Sequence, residues 1–125
     1  MSTTVTLPKE KLDFSIDEND YSITFPNNGE YIEIEGMKAR LTRDTYNSMA
    51  VGVSVSAQMA RYTVDMIACL SVLCPKIKED LKVESFSELK MIDSKRILKV
   101  YIDKILPWLT EWESVLNAED EAAAE

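Results

Sequence analysis

The sequence predicts an α+β fold: an N-terminal β-hairpin, with a further segment able to act as a third strand, followed by a mainly helical domain of four to five helices. Three observations predict it. Apolar residues alternate with polar ones at a period of two as far as Ile34, the mark of half-buried strands. From Thr42 onward the apolar period lengthens to about three and a half, the mark of amphipathic helix. Between two of the alternating runs lies Pro26-Asn27-Asn28-Gly29, and Asn-Gly supplies the positive φ angles of a tight hairpin turn.

The first eleven residues are polar and are expected to form a flexible arm (1–11). Leu12, Phe14 and Ile16 alternate and offer the third strand; Asp17-Glu18-Asn19-Asp20 breaks it. Tyr21, Ile23 and Phe25, then Ile32 and Ile34, make the hairpin 21–35, with Glu33 and Glu35 on its wet face and Gly36 at its end. The β element thus spans 12–36 and the helical part 42–117 of one domain, 12–117.

Thr42 is placed to cap a helix whose stripe is Tyr46, Met49, Ala50 and Val53. Val51-Gly52-Val53-Ser54-Val55-Ser56 is poor helix and alternates like a strand; with helical flanks it reads as a kinked joint. A long, mostly buried helix follows over about 57–74, carrying Ala60, Val64, Ile67, Leu70 and Cys74, widened by Met59, Met66 and Leu73. Pro75 interrupts it or opens a short helix with Ile77 and Leu81. Ser85-Phe86-Ser87-Glu88 fits a capping box opening another short helix with Leu89 and Met91 inside. Asp93 caps the last helix, 94–117, on which Ile97, Tyr101, Ile105, Trp108, Trp112 and Val115 form one stripe. A second stripe, from Leu98 and Ile102 to Leu109 and Leu116, lies beside it, and Pro107 is expected to kink the helix and free the carbonyl of Asp103. Residues 118–125 read as an acidic, disordered tail.

Composition narrows the function. The chain of 125 residues contains no histidine, the commonest general acid/base and metal ligand. Ser/His and Cys/His nucleophile systems are thereby excluded, together with most zinc sites. Net charge is −8, unevenly spread: residues 1–36 carry two bases and eight acids, the body 37–117 twelve bases and ten acids, and the tail four acids. Acidic ends repel nucleic acid and anionic lipid, so neither nucleic acid nor membrane is an expected partner. The N-terminal residues have neither a basic segment nor an apolar core of signal-peptide type, and the apolar run Met66–Cys74 is too short to span a bilayer. Cys69 and Cys74 are five apart in a helical stretch and face different sides, so they read as buried reduced thiols in a reducing, cytoplasmic setting.

Three residue groups raise the question of chemistry. Asp13, Asp17, Glu18 and Asp20 resemble a cation loop in charge only, lacking the central glycine and the distal bidentate glutamate of an EF-hand. Tyr62, Asp65, Asp103 and Lys104 are polar groups on apolar helices, better explained by helix borders than by catalysis. The three glycines stand in no phosphate-binding pattern. No catalytic residue, metal ligand or cofactor is assigned, and a non-enzymatic protein is expected. The remaining candidate is the wide apolar face of the last helix. Tyr101, Ile105, Trp108, Leu109 and Trp112 are the residues expected to bind a partner, since tryptophan is enriched where proteins anchor to one another. Five internal methionines supply adaptable packing.

The layout Tyr21-Ser22-Ile23-Thr24-Phe25-Pro26, Gly29-Glu30-Tyr31-Ile32-Glu33-Ile34, then helices carrying Val64-Asp65-Met66-Ile67, Leu73-Cys74-Pro75 and Leu106-Pro107-Trp108, resembles the tail assembly chaperones of long-tailed bacteriophages. These are small, acidic proteins with a short β element before a helical domain. The resemblance covers about residues 20–117 and implies a cytoplasmic chaperone in the infected host. It would hold the apolar helical tape measure protein and recruit tail tube subunits during tail assembly, with self-association into a homo-oligomer compatible with that work. Two alternatives stay open: a virion structural protein (a tail or head-completion subunit), and a small acidic secretion-type chaperone. Chaperones of the latter type usually begin with a helix rather than with strands.

Overall fold

The computed structural model of the protein describes residues 8–46 and 54–124, with side chains as far as 117. Strands β1 (Lys11–Ile16) and β2 (Asn19–Thr24) form an antiparallel hairpin. Helices α1 (Asn28–Thr42), α2 (Val55–Leu73), α3 (Lys76–Leu81), α4 (Met91–Val100) and α5 (Leu106–Ala124) follow, with a 3₁₀ turn at Phe86–Glu88 and a π-helical turn at Tyr101–Ile105. The chain is α+β, a two-stranded hairpin followed by helices.

The hairpin is not the one the Asn-Gly pair predicts. Phe14 faces Tyr21 and Ile16 faces Asn19, so the two-residue turn is Asp17-Glu18, with Asp17 in the left-handed region at φ 55°. Aspartate tolerates that region better than most residues. Phe14, Ile16, Tyr21 and Ile23 share the inner face, and the Phe14 and Tyr21 rings lie 5.8 Å apart. The alternation read along 12–25 is therefore right, and its pairing was mis-assigned: Leu12–Ile16 is the partner strand of 21–25, not a third one.

Residues 28–42 are helical, which corrects both the hairpin 21–35 and the β element 12–36. Asn27 is the cap: its side chain accepts from the Glu30 amide at 2.9 Å, and the Glu30 carboxylate accepts from the Asn27 amide at 3.1 Å. This reciprocal box satisfies two amides that a helix start otherwise leaves open. Asn-x-x-Glu is thus a helix start signal, and it overrides the Asn-Gly turn signal and the alternation of Tyr31 to Glu35. Thr42 closes α1 instead of opening a helix, its hydroxyl donating to the Lys38 carbonyl at 2.8 Å. Arg43 and Asp44 then adopt left-handed conformations, and their amides return to carbonyls of the last turn.

The stripe of Tyr46, Met49, Ala50 and Val53 falls mostly outside the described residues. α2 starts two residues earlier than expected, because Ser54 caps it by accepting from the Ala57 amide at 3.1 Å. Pro75 both ends α2 and starts α3. Ser85 caps only a three-residue 3₁₀ turn, accepting from the Ser87 amide, and Leu89 and Met91 lie beyond it. α4 opens at Met91, so Asp93 sits in its first turn and is not the cap. The chain then runs into α5 through the π turn, where the Leu106 amide reaches back to the Tyr101 carbonyl. Pro107 follows directly. Having no amide to give to Asp103, it lies where one widened turn absorbs the missing bond.

The core joins the inner hairpin face to Met66, Cys69 and Leu70 of α2, Ile77, Phe86, and Ile97, Tyr101, Ile105 and Trp108 of the last helices. Both cysteines are free and buried. Among the described residues, no helix is long and apolar enough to cross a membrane.

Candidate functional site

The five residues expected to bind a partner are occupied within the chain. Tyr101 and Ile105 are 3 % and 0 % exposed, Trp108 is buried, and Leu109 and Trp112 are partly buried against the same core. The indole N–H groups of Trp108 and Trp112 both donate to the Lys9 carbonyl, at 2.6 and 3.1 Å. Phe25 packs between these rings, stacked on Trp112 at 4.9 Å and edge-on to Trp108 at 5.9 Å. The Glu10 carbonyl in turn accepts from the Phe25 amide at 3.0 Å. The wide apolar face of α5 is therefore spent on the hairpin and on residues 9–10, and the part of the expected flexible arm from Lys9 onward is tied down.

The polar candidates separate. Asp65 lies on the inner side of α2, where its Oδ1 accepts from the Tyr46 hydroxyl at 2.5 Å and lies 3.7 Å from the Lys38 ammonium. Lys38 also lies 3.5 Å from Glu35 and 5.3 Å from the centre of the Tyr46 ring. Burial, followed by the Asp65 hydrogen bond and charge, pushes the Tyr46 phenol well above its ordinary range. Glu35, Lys38 and Asp65 edge a cavity of about 500 Å³ between α1, α2 and α5, beside Cys69 and Tyr101. Its geometry fastens α1 and Tyr46 to α2 and sets no nucleophile against a base. Tyr62 packs on the core, while Asp103 and Lys104 face solvent on the π turn. They do not join Asp65 in one site.

The hairpin acids have local tasks as well. Asp20 accepts from the Ser15 hydroxyl at 2.6 Å, and Asp17 faces Arg96 at 3.8 Å. Among the described residues, no three Cys, Asp or Glu side chains converge as a metal site would need.

Among the described residues, a groove of about 850 Å³ opens between the first half of α2 and α4. Val55 (73 % exposed), Met59 (44 %) and Met91 (67 %) line it, with Leu98 and Ile102 deeper in, and Ile92 (63 %) stands beside Met91. Val55 and Met59 share a helix face at i, i+4. Of the stripe expected to be buried, Met66, Leu70 and Cys74 are buried, whereas Met59 at this end is open to solvent. The sequence signal was present: Met91 and Ile92 are two large apolar residues in the first turn of a helix, where solvent-facing positions favour acids.

No protein family, curated protein or solved structure matches this chain.

Proposed function

We propose that this protein is a non-enzymatic binding protein that shields an apolar helical segment of another protein, the work of the tail assembly chaperones that its layout resembles. The observation that carries the proposal is the groove between α2 and α4, with Val55, Met59 and Met91 open to solvent at its walls. Solvated apolar side chains scattered singly are ordinary; several converging on one concavity mark a place for a partner. Methionine suits it, since three rotatable bonds and a polarisable sulfur fit varied apolar surfaces. In this reading the tape measure protein is the client and the tail tube protein a second partner, and the tryptophans build the body that presents the groove.

Co-expression of the chain with the proteins encoded beside it, followed by affinity capture and native mass measurement, tests the role. The expected result is a complex with a long helical protein, kept out of finished particles and lost on Met59→Glu plus Met91→Glu. Presence of the chain in purified virions, with no such client, would favour the structural alternative and defeat the proposal.

A further inference from the structure

Resting on that reading, we infer that the groove takes an amphipathic helix of two to three turns, from a different protein, with two carboxylates one turn apart along one flank. The two walls are helices whose backbone groups are already paired, so an extended strand would find no ladder there; a helix brings its own hydrogen bonds. The α2 wall from Val55 to Thr63 is about 12 Å long and the facing wall, from Met91 on α4 to Asp103 on the π turn, about 18 Å, at a rise of roughly 1.5 Å per residue. Two to three helical turns fill that length.

The rim supplies the charge pattern. On the α2 side the polar residues are Ser56 and Thr63, both uncharged. On the α4 side stand Lys95 and Lys99, exposed and four apart, with Asp103 one turn further. Neither lysine lies within ion-pair distance of a carboxylate among the described residues, whereas their neighbour Arg96 points to Asp17. Two unpaired cations on one lip, in a chain of net charge −8, are complementary to an acidic flank. A base one turn beyond the acids would face Asp103 and fix the direction in which the occupant runs.

A second copy of this chain fits less well. Its own acidic helix, α5, turns Leu109 and Trp112 inward, and Leu116 is its one large apolar side chain exposed among the described residues. One leucine does not fill about 850 Å³. An anionic bilayer is opposed by the net charge and by the concave shape of the apolar surface.

Two labelled peptides of one apolar pattern test the inference on the full-length chain by fluorescence anisotropy, one flanked by a glutamate pair and the other by a lysine pair. The glutamate peptide is expected to bind about tenfold or more tightly, the order that a few solvent-exposed charge pairs provide, and the gap is expected to narrow in high salt. Lys95→Glu plus Lys99→Glu, at exposed positions, should reverse the preference, and circular dichroism checks that the fold is kept. Equal binding of both peptides, a preference unmoved by the charge reversal, capture by anionic vesicles in place of peptide, or dimerisation through the groove would each overturn it. If the co-expressed client is still lost on Met59→Glu but unaffected by the lysine reversal, the acidic flank is wrong and the shielding role stands. If the wild-type chain retains no client, the role itself fails.

Discussion

Trp108 and Trp112, one turn apart on α5, send both indole N–H groups to the one carbonyl of Lys9, at 2.6 and 3.1 Å. A carbonyl has two lone pairs, and here each meets a ring that also packs on Phe25. The last helix thereby closes on the first described residues of the chain.

Because the two rings share an acceptor, their contributions are coupled. Trp108→Ala is expected to cost about 3–5 kcal/mol, as large buried aromatics do, and Trp112→Ala less because its ring is half-exposed. The pair Trp108→Phe and Trp112→Phe isolates the hydrogen bonds. Each alone leaves the carbonyl one donor, so the double variant should lose more than the two singles combined, by about 0.5–1 kcal/mol. Urea unfolding followed by circular dichroism measures all five. Additive losses would mean that the shared acceptor is irrelevant to stability.

Gly36→Ala tests the helical backbone of the most ambiguous segment. A methyl group there would meet the Arg40 guanidinium at 3.5 Å, an ordinary contact, and Gly36 keeps a negative φ. In a helix the substitution should raise stability by roughly 0.5–1 kcal/mol. A fall in the urea midpoint would contradict an unstrained helical backbone at position 36.

Alkaline pH should unfold the protein by a named route. Burial raises the phenols of Tyr21, Tyr46 and Tyr101 above the ordinary 10, reinforced for Tyr21 and Tyr46 by hydrogen bonds to Asp80 and Asp65. Burial also raises Cys74 above the ordinary 9 and Cys69 up to about 12. The folded state keeps protons that the unfolded chain releases, so this contribution is intact below pH 9 and is lost progressively as pH rises past 9 and then 10. The urea midpoint should stay level between about pH 7 and 8.5 and fall above that. Tyr21→Phe and Tyr46→Phe should each flatten the fall, and a midpoint indifferent to alkali would contradict the assignment.

Both thiols should resist a water-soluble thiol reagent at neutral pH and react once the chain is unfolded. They are buried, and their raised pKa values leave little thiolate to attack. Rapid labelling of native protein would show that the core around α2 opens readily.

Much of this fold was legible in residue order. Period-two alternation located β1 and β2, and Pro75 and the long apolar stripes located helices around the core, whereas the Ser54 cap was hidden in a stretch of poor helix formers. Their partners were harder to read. Strand pairing depends on which turn closes, and Asn27-Asn28-Gly29-Glu30 carries a turn signal and a capping box at once; the box prevails in a helix that buries Ile34 and Thr42 at helical spacing and packs on α2. The site was less legible still. A helical stripe shows that a face is apolar, but whether it meets its own chain or another depends on tertiary placement. Trp108 and Trp112 met Phe25, while Met59, set on the stripe expected to be buried, stayed in solvent.

The most direct test puts a photocrosslinking amino acid at position 59, with position 22 on the outer hairpin face as control, in cells that also make the long helical candidate client. The expected result is a crosslink from 59 to one apolar helical segment of that client and none from 22. Equal labelling from both positions, or a crosslink from 59 back to this chain alone, would contradict it.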